Sequence, residues 1–347
     1  MRRPPQQQSG ASATGIQKSG PVTMEMVARL AGVSQVSVSR ALNHPDKVAP
    51  DTLARIQEAI RVTGYVHNLV AGALASRRSG IIAALIPSIT NLTYSSFLRP
   101  FIEATRRAGY QVILAETGFS PDDEQAMVQS LLSRQPEGML LTGVHHSAEC
   151  RRMLLGSGLP VVEVWDESET PIDICVGFSH WEAGRAAARY AQKKGYAHAA
   201  AITAGDPRAV RRKDAFAQEL VSLGYPSPPV IRFETPASIA NGRDGLKQLL
   251  ERGFTKGIIS CSSDLLAHGV LIEAQARGLK IPGEIAVIGF SDQDFAAHTL
   301  PALSTIRVDR LLLGRKAADA LLARIAGENA ETRRVDVGFE IIERESA

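Results

Sequence analysis

The sequence is poor in cysteine and has no long apolar run. Its three cysteines, Cys150, Cys175 and Cys261, lie far apart without CxxC spacing or paired histidines. That excludes a zinc ribbon and argues against a disulfide framework, so they read as buried packing residues. No apolar stretch approaches the ~18 residues that a membrane-spanning helix needs, which excludes an integral membrane protein. The first twenty residues, MRRPPQQQSGASATGIQKSG, carry two arginines with no apolar segment behind them. They cannot act as a signal peptide, and the expected location is the cytoplasm.

A chain of 347 residues, at ~100–200 residues per domain, predicts two or three domains with sizeable cores. The overall net charge of +3 hides an asymmetry. Residues 1–80 hold ten Lys/Arg against four acids, a net +6, and the remaining 29 against 32 leave −3. A small basic segment on a large acidic body suggests a polyanion-binding module joined to a separate control or catalytic domain.

Residues 1–20, rich in Pro, Gln, Ser and Gly, have little to bury and read as a disordered leader. Residues 22–64 hold three short helices. Thr23 can cap the first, in which Val27, Leu30 and Ala31 share one face. Gly32 permits a sharp turn, Ser34 can cap a second helix from Gln35 to Leu42, and Pro50 suits the first turn of a third from Asp51 to Val62. Two helices about three residues apart with a third bracing them form the helix-turn-helix pattern. From residue 81 short apolar runs alternate with longer helical stretches: 81–86, 111–115, 138–141, 161–165, 199–203, 230–233, 257–260 and 285–289 as strands. This is βαβ chaining in two sets, predicting two parallel-sheet lobes with a cleft between them, where ligands sit beyond the carboxyl ends of the strands.

At this point the residues resemble a known family. VTMEMVARLAGVSQVSVSRALN at 22–43, TGYVHNLVAGALAS at 63–76, VIGFSDQD and PALSTIRVD are similar, in order and spacing, to the LacI/GalR family of bacterial transcription regulators. LIPSITN, LAETGFSPDDEQ, PVVEVWD and DICVGFSHWEAGR look most like its gluconate-responsive branch. The resemblance implies a helix-turn-helix headpiece at 21–66, a hinge helix at 67–79 and an α/β core at 80–347, whose two lobes have parallel sheets like those of periplasmic binding proteins.

It also implies roles. In the second helix Gln35, Val36 and Arg40 become base readers. Ser34, Ser37 and Ser39 become phosphate or base-edge contacts, with Thr23 and Asn43 completing the DNA-contacting set. Such side chains suit a major groove: Arg pairs with guanine, Gln with adenine, and Val meets a thymine methyl. Without the family, the same residues are a solvated helix face. In the hinge, Leu74 becomes a minor-groove wedge with Ala71 beside it; without the family, the stretch is a linker helix. Two departures are Met26, where the family usually has an acid, and His67 in place of the usual Pro.

In the core, the resemblance puts Arg212, Ser263 and Asp264 in an effector pocket, with Ser291 and Asp292 in GFSDQD. Family members commonly carry an acid where Ser291 stands, and its loss favours an anionic ligand. Glu163 and Asp166 either line the cleft or form a solvated strand edge; Ser88, Asn91 and Tyr94 are further pocket candidates. His145 and His146 read as a solvated pair, more often so than as metal ligands. No nucleophile elbow, Walker loop or GxGxxG follows any strand, so no enzyme, cofactor or metal is expected.

The expected protein is therefore a repressor that binds a palindromic double-stranded operator and takes a small sugar acid as effector. The chain ends soon after the last strand without an apolar heptad segment, which predicts a homodimer. The competing readings are a sugar receptor of the periplasmic type, a sugar-modifying enzyme with an accessory DNA module, and a regulator answering to another sugar or a purine.

Overall fold

The computed structural model describes residues 21–67, 79–118, 120–328 and 332–347. The chain divides into two compact units between residues 78 and 79. The expected leader, and the hinge positions Ala71 and Leu74, lie outside the described residues.

In the first unit three helices, α1 (Met24–Ala31), α2 (Gln35–Asn43) and α3 (Pro50–Thr63), close around Val27, Ala28, Ala31, Val38, Ala41, Ile56 and Ala59. The Thr23 side chain accepts from the Met26 amide, and Ser34 accepts from that of Ser37, so both helices start at hydroxyl caps. Gly32, at φ 64°, ends α1 in the left-handed conformation and lets α2 start three residues later. Leu30, expected to share the apolar face of α1 with Val27 and Ala31, is 56% exposed. In so short a helix the side facing α2 and α3 is taken by Val27, Ala28 and Ala31, and Leu30 falls outside it.

In the second unit the elements run β1 (Ile81–Ile86), α4 (Leu92–Arg107), β2 (Gln111–Glu116), α5 (Pro121–Leu132), β3 (Gly138–Thr142), α6 (Ala148–Ser157), β4 (Val161–Val164) and β5 (Ile174–Gly177). Then follow α7 (His180–Lys193), β6 (Ala199–Ala204), α8 (Pro207–Ser222), β7 (Val230–Phe233), α9 (Ile239–Glu251), β8 (Gly257–Cys261), α10 (Asp264–Ala276) and β9 (Ile285–Phe290). Last come β10 (Ser304–Arg307), α11 (Arg310–Ile325), β11 (Arg334–Asp336) and β12 (Glu340–Ile342).

These strands make two six-stranded sheets, ordered β11-β5-β4-β3-β1-β2 and β12-β10-β9-β8-β6-β7. All neighbours are parallel except β10 and β12. Central strands such as IIAALI, VVEV and IAVIGF are buried on both faces, as helices on either side of a parallel sheet require. The eight expected strands are all present. Four more, β5, β10, β11 and β12, were not foreseen. The chain passes between lobes after β5, after β10 and between β11 and β12, so the first lobe takes back the late strand β11 and the second is closed by β12. The Phe178 and Phe290 rings stack, with centroids 6.1 Å apart, in a core that draws on both sheets.

Candidate functional sites

In the headpiece, α2 buries Val38 and Ala41 and leaves Gln35, Val36 and Arg40 exposed, Val36 at 66%. Ser37 and Ser39 are half-buried. The Ser34 and Ser37 hydroxyls lie 3.0 Å apart, and Asn43 donates its side-chain amide to the Ser39 carbonyl at 2.9 Å. Arg40 makes no ion pair among the described residues, so its fork is free. The helix thus presents one polar, cationic face with an apolar contact in it, the composition that can read major-groove edges.

In the core, α8 begins directly beyond the carboxyl end of β6. Asp206 caps it by accepting from the Ala209 amide at 3.0 Å. Arg208, Arg211 and Arg212 are spaced i, i+3, i+4 and so share one helix face, which points across the cleft. Arg208 Nη2 donates to the Tyr94 hydroxyl at 2.7 Å. Arg211 Nη1 donates to Asp166 Oδ1 at 2.7 Å, and its Nη2 meets His145. Arg212 Nη1 donates to His180 Nδ1 at 2.8 Å and Nη2 to the Ser262 carbonyl at 2.9 Å, while its guanidinium lies 3.7 Å above the centre of the Phe290 ring. No carboxylate stands within hydrogen-bond reach of Arg212 among the described residues, and its Nε is enclosed without a partner. Burial lowers its pKa to about 10.

Opposite, Trp165 and Asp166 follow directly on β4. Trp165 adopts φ 70°, a left-handed conformation uncommon for an aromatic residue. Asp166 Oδ2 is buried and unpartnered, and burial raises the carboxyl pKa against the pull of Arg211. An enclosed donor on Arg212 and an enclosed acceptor on Asp166, both lacking partners, mark where a bound molecule would complete the hydrogen bonding.

The other expected pocket residues are placed as follows. Thr93 and Ser291 join hydroxyls across the lobes at 2.9 Å, and Gln293 donates to Thr93 at 3.3 Å. Ser291 and Asp292 have φ values of 107° and 48°, and their carbonyls accept from Arg310. Asp292 also pairs with Arg344 at 2.8 Å. Ser263 caps α10. Asp264 is fully buried, accepting from Thr305 Oγ1 at 2.6 Å and from the Gln293 amide at 2.7 Å, so both its oxygens are taken within the protein. Ser88 pairs with Thr90, and Asn91 caps α4. Asp166 is buried and faces the cleft, whereas Glu163, equally buried, turns to His146 and the Ile172 amide; neither is a solvated edge. His146 is enclosed too, which corrects the expectation of a solvated pair. The sequence reading missed Arg208, Arg211, Trp165 and His180; the spacing of the arginines was the available signal.

His180 ties these parts together, since its Nε2–H donates to the Trp165 carbonyl at 2.8 Å while Nδ1 accepts from Arg212. Burial, then Arg212 and Arg208, hold its pKa well below the ordinary value, so it is neutral in the fold. A histidine with a depressed folded pKa contributes stability that is present above its unfolded value, near 6.5, and lost as pH falls below it. Between pH 7 and 5.5 the protein should lose about 1 kcal/mol more stability than a His180→Gln variant. Denaturant titrations at the two pH values check this, and equal losses would mean that His180 carries its charge in the fold.

A helix-turn-helix unit followed by a two-lobed α/β unit with a polar cleft defines a ligand-controlled DNA-binding regulator. Residues 23–68 match the model of the lacI family of bacterial regulatory proteins, and residues 188–347 match a periplasmic binding protein-like domain. The chain is 38% identical over 330 residues to the HTH-type transcriptional regulator GntR of Pseudomonas aeruginosa, covering 94% of this chain and 96% of that one. It is 31% identical to GntR of Escherichia coli K12, covering 94% and 98%. A LacI-family transcriptional regulator from Silicibacter pomeroyi superposes with a TM-score of 0.89 at 32% identity, over 94% and 99% of the two chains. The chain belongs to the lacI family. It is a DNA-binding transcriptional repressor and not an enzyme.

Proposed function

We propose that this repressor acts as a cytoplasmic homodimer on a palindromic operator and is controlled by a sugar acid of the gluconate type bound between the lobes of its core. The headpiece spans 21–66, the hinge 67–79 and the core 80–347. Gln35, Val36 and Arg40 read bases, Thr23, Ser34, Ser37, Ser39 and Asn43 support them on the backbone, and Leu74 beside Ala71 is the wedge. The observation that carries the effector class is the Arg212 guanidinium, sheltered over Phe290 with neutral partners only. A desolvated arginine lacks its anion there, and a carboxylate supplies two charge-assisted hydrogen bonds. Asp166 Oδ2, the enclosed acceptor opposite, suits a sugar hydroxyl. Arg208 and Arg211 add positive charge around the same space. Ser291 is spent on bridging to Thr93, so the argument for an anion rests on the arginines rather than on the missing acid.

Calorimetry of the full chain with gluconate and with glucose tests the reading. Gluconate should bind at least tenfold more tightly; comparable affinities would return the effector to an unassigned neutral sugar.

For the headpiece, Arg40→Ala should cost about 1 to 3 kcal/mol on the operator, with preference relaxed at one base pair. Fluorescence anisotropy on operator and on random DNA checks it. An equal loss on both would reduce Arg40 to a phosphate contact.

A further inference from the structure

Away from the arginine cluster, the first lobe encloses a second set of reactive side chains. Glu124 lies in the first turn of α5, His146 in the segment after β3, Cys150 in the first turn of α6 and Glu163 on β4. The His146 side chain is 1% exposed, Glu163 0% and Glu124 13%. His146 Nδ1–H donates to Glu124 Oε1 at 2.6 Å, and the Cys150 thiol donates to the same oxygen at 3.7 Å. These nitrogen, oxygen and sulfur atoms all lie within 4.8 Å of one another. On the far side of the ring Nε2–H donates to Glu163 Oε1 at 3.2 Å, and Glu163 Oε2 accepts from the Ile172 amide at 2.6 Å.

We propose that Glu124, His146 and Cys150 form a binding site for a divalent transition metal, with Zn2+ the best fit. One imidazole, one thiolate and one carboxylate suit a borderline-soft ion and disfavour Mg2+ or Ca2+, which take all-oxygen shells. Zinc bond lengths of about 2.0–2.3 Å in a tetrahedral site set ligand atoms roughly 3.3–3.8 Å apart. The triangle needs only a small opening between Glu124 and His146, leaving a fourth position for water. Glu163 stands where metal-bound imidazoles keep a carboxylate: it holds the Nε2 proton, so that Nδ1 is the nitrogen presented.

Binding releases two protons, one from the Cys150 thiol and one from His146 Nδ1. The two anionic ligands then balance the charge of the ion. The metal clamps α5, α6 and the 143–147 segment together. That segment also carries His145, which meets Arg211 in the cleft, so occupancy reaches the wall of the ligand site.

The test uses the full chain, stripped with chelator and titrated with Co2+ and then Zn2+. One Co2+ per chain should bind with a thiolate-to-cobalt charge-transfer band. Cys150→Ser should abolish the band and weaken Zn2+ at least 100-fold while leaving operator binding unchanged, and Cys175→Ser should keep the band. Glu163→Gln should weaken Zn2+ about 10- to 100-fold. If Cys150→Ser does not fold, Glu124→Gln at the rim of the site should weaken Zn2+ in its place. No band in the wild type, or a band that survives the loss of Cys150, would overturn the proposal and leave a buried hydrogen-bonded ion cluster only.

Discussion

Arg212→Ala should abolish the response to effector while leaving operator affinity in its absence within about twofold. The guanidinium is desolvated over Phe290 with neutral partners only, so a carboxylate ligand would draw its charge-assisted bonds from it. Hydrogen bonds to charged groups are worth about 1.5–3 kcal/mol each. Losing the fork should shift the effector concentration for half-response at least 100-fold. Arg212→Lys should recover only part of this, because an ammonium has no planar fork to hold the ligand, His180 and the Ser262 carbonyl together. Effector titrations of preformed operator complexes, followed by anisotropy, measure both variants. A shift below about fivefold for the alanine variant would move the anion elsewhere in the cleft. The effector can change operator affinity only by its differential affinity for two core arrangements, about 2.7 kcal/mol for a 100-fold change.

Much of the fold was legible because its signals are local. The caps at Thr23 and Ser34, the turn at Gly32 and the eight expected strands depend on residue type and period, and they fall within a residue or so of expectation. The missed strands are three or four residues long, with too few positions to show a period, and three of them lie after residue 300 among turn-like sequence. Leu30 was misplaced because a two-turn helix offers several apolar stripes, and only the partners decide which is buried.

The sites divide along the same line. Arg208, Arg211 and Arg212 could have been read as one face from their spacing alone, whereas the resemblance pointed to Arg212 only. What the Ser263-Asp264 pair does was not legible. Ser263 is a helix cap, and the partners that occupy Asp264 are Thr305 and Gln293, 41 and 29 residues away in sequence. His146 likewise owes its burial to Glu124 and Glu163, on two other elements.

The largest stability effect should come from Gly177→Ala. Gly177 ends β5 directly beneath the turn made by Trp165 and Asp166, and a Cβ built there would sit 1.9 Å from the Asp166 carbonyl oxygen and 2.7 Å from its nitrogen. Both are backbone atoms, so no side-chain rotation relieves the contact. The Asp166 segment would have to move outward, with Trp165 already in a left-handed conformation and its carbonyl tied to His180. Overpacking of this kind costs about 3 kcal/mol or more when main chain must shift. For a core of this size that corresponds to a melting temperature roughly 6–12 °C lower. The displacement also carries Asp166 away from Arg211, so effector binding should weaken beyond what the lost stability explains. Thermal melts of the variant with and without ligand separate the two effects. A wild-type melting temperature would show that the β4 end yields freely, and would remove the rigid support assumed here for the acid side of the cleft.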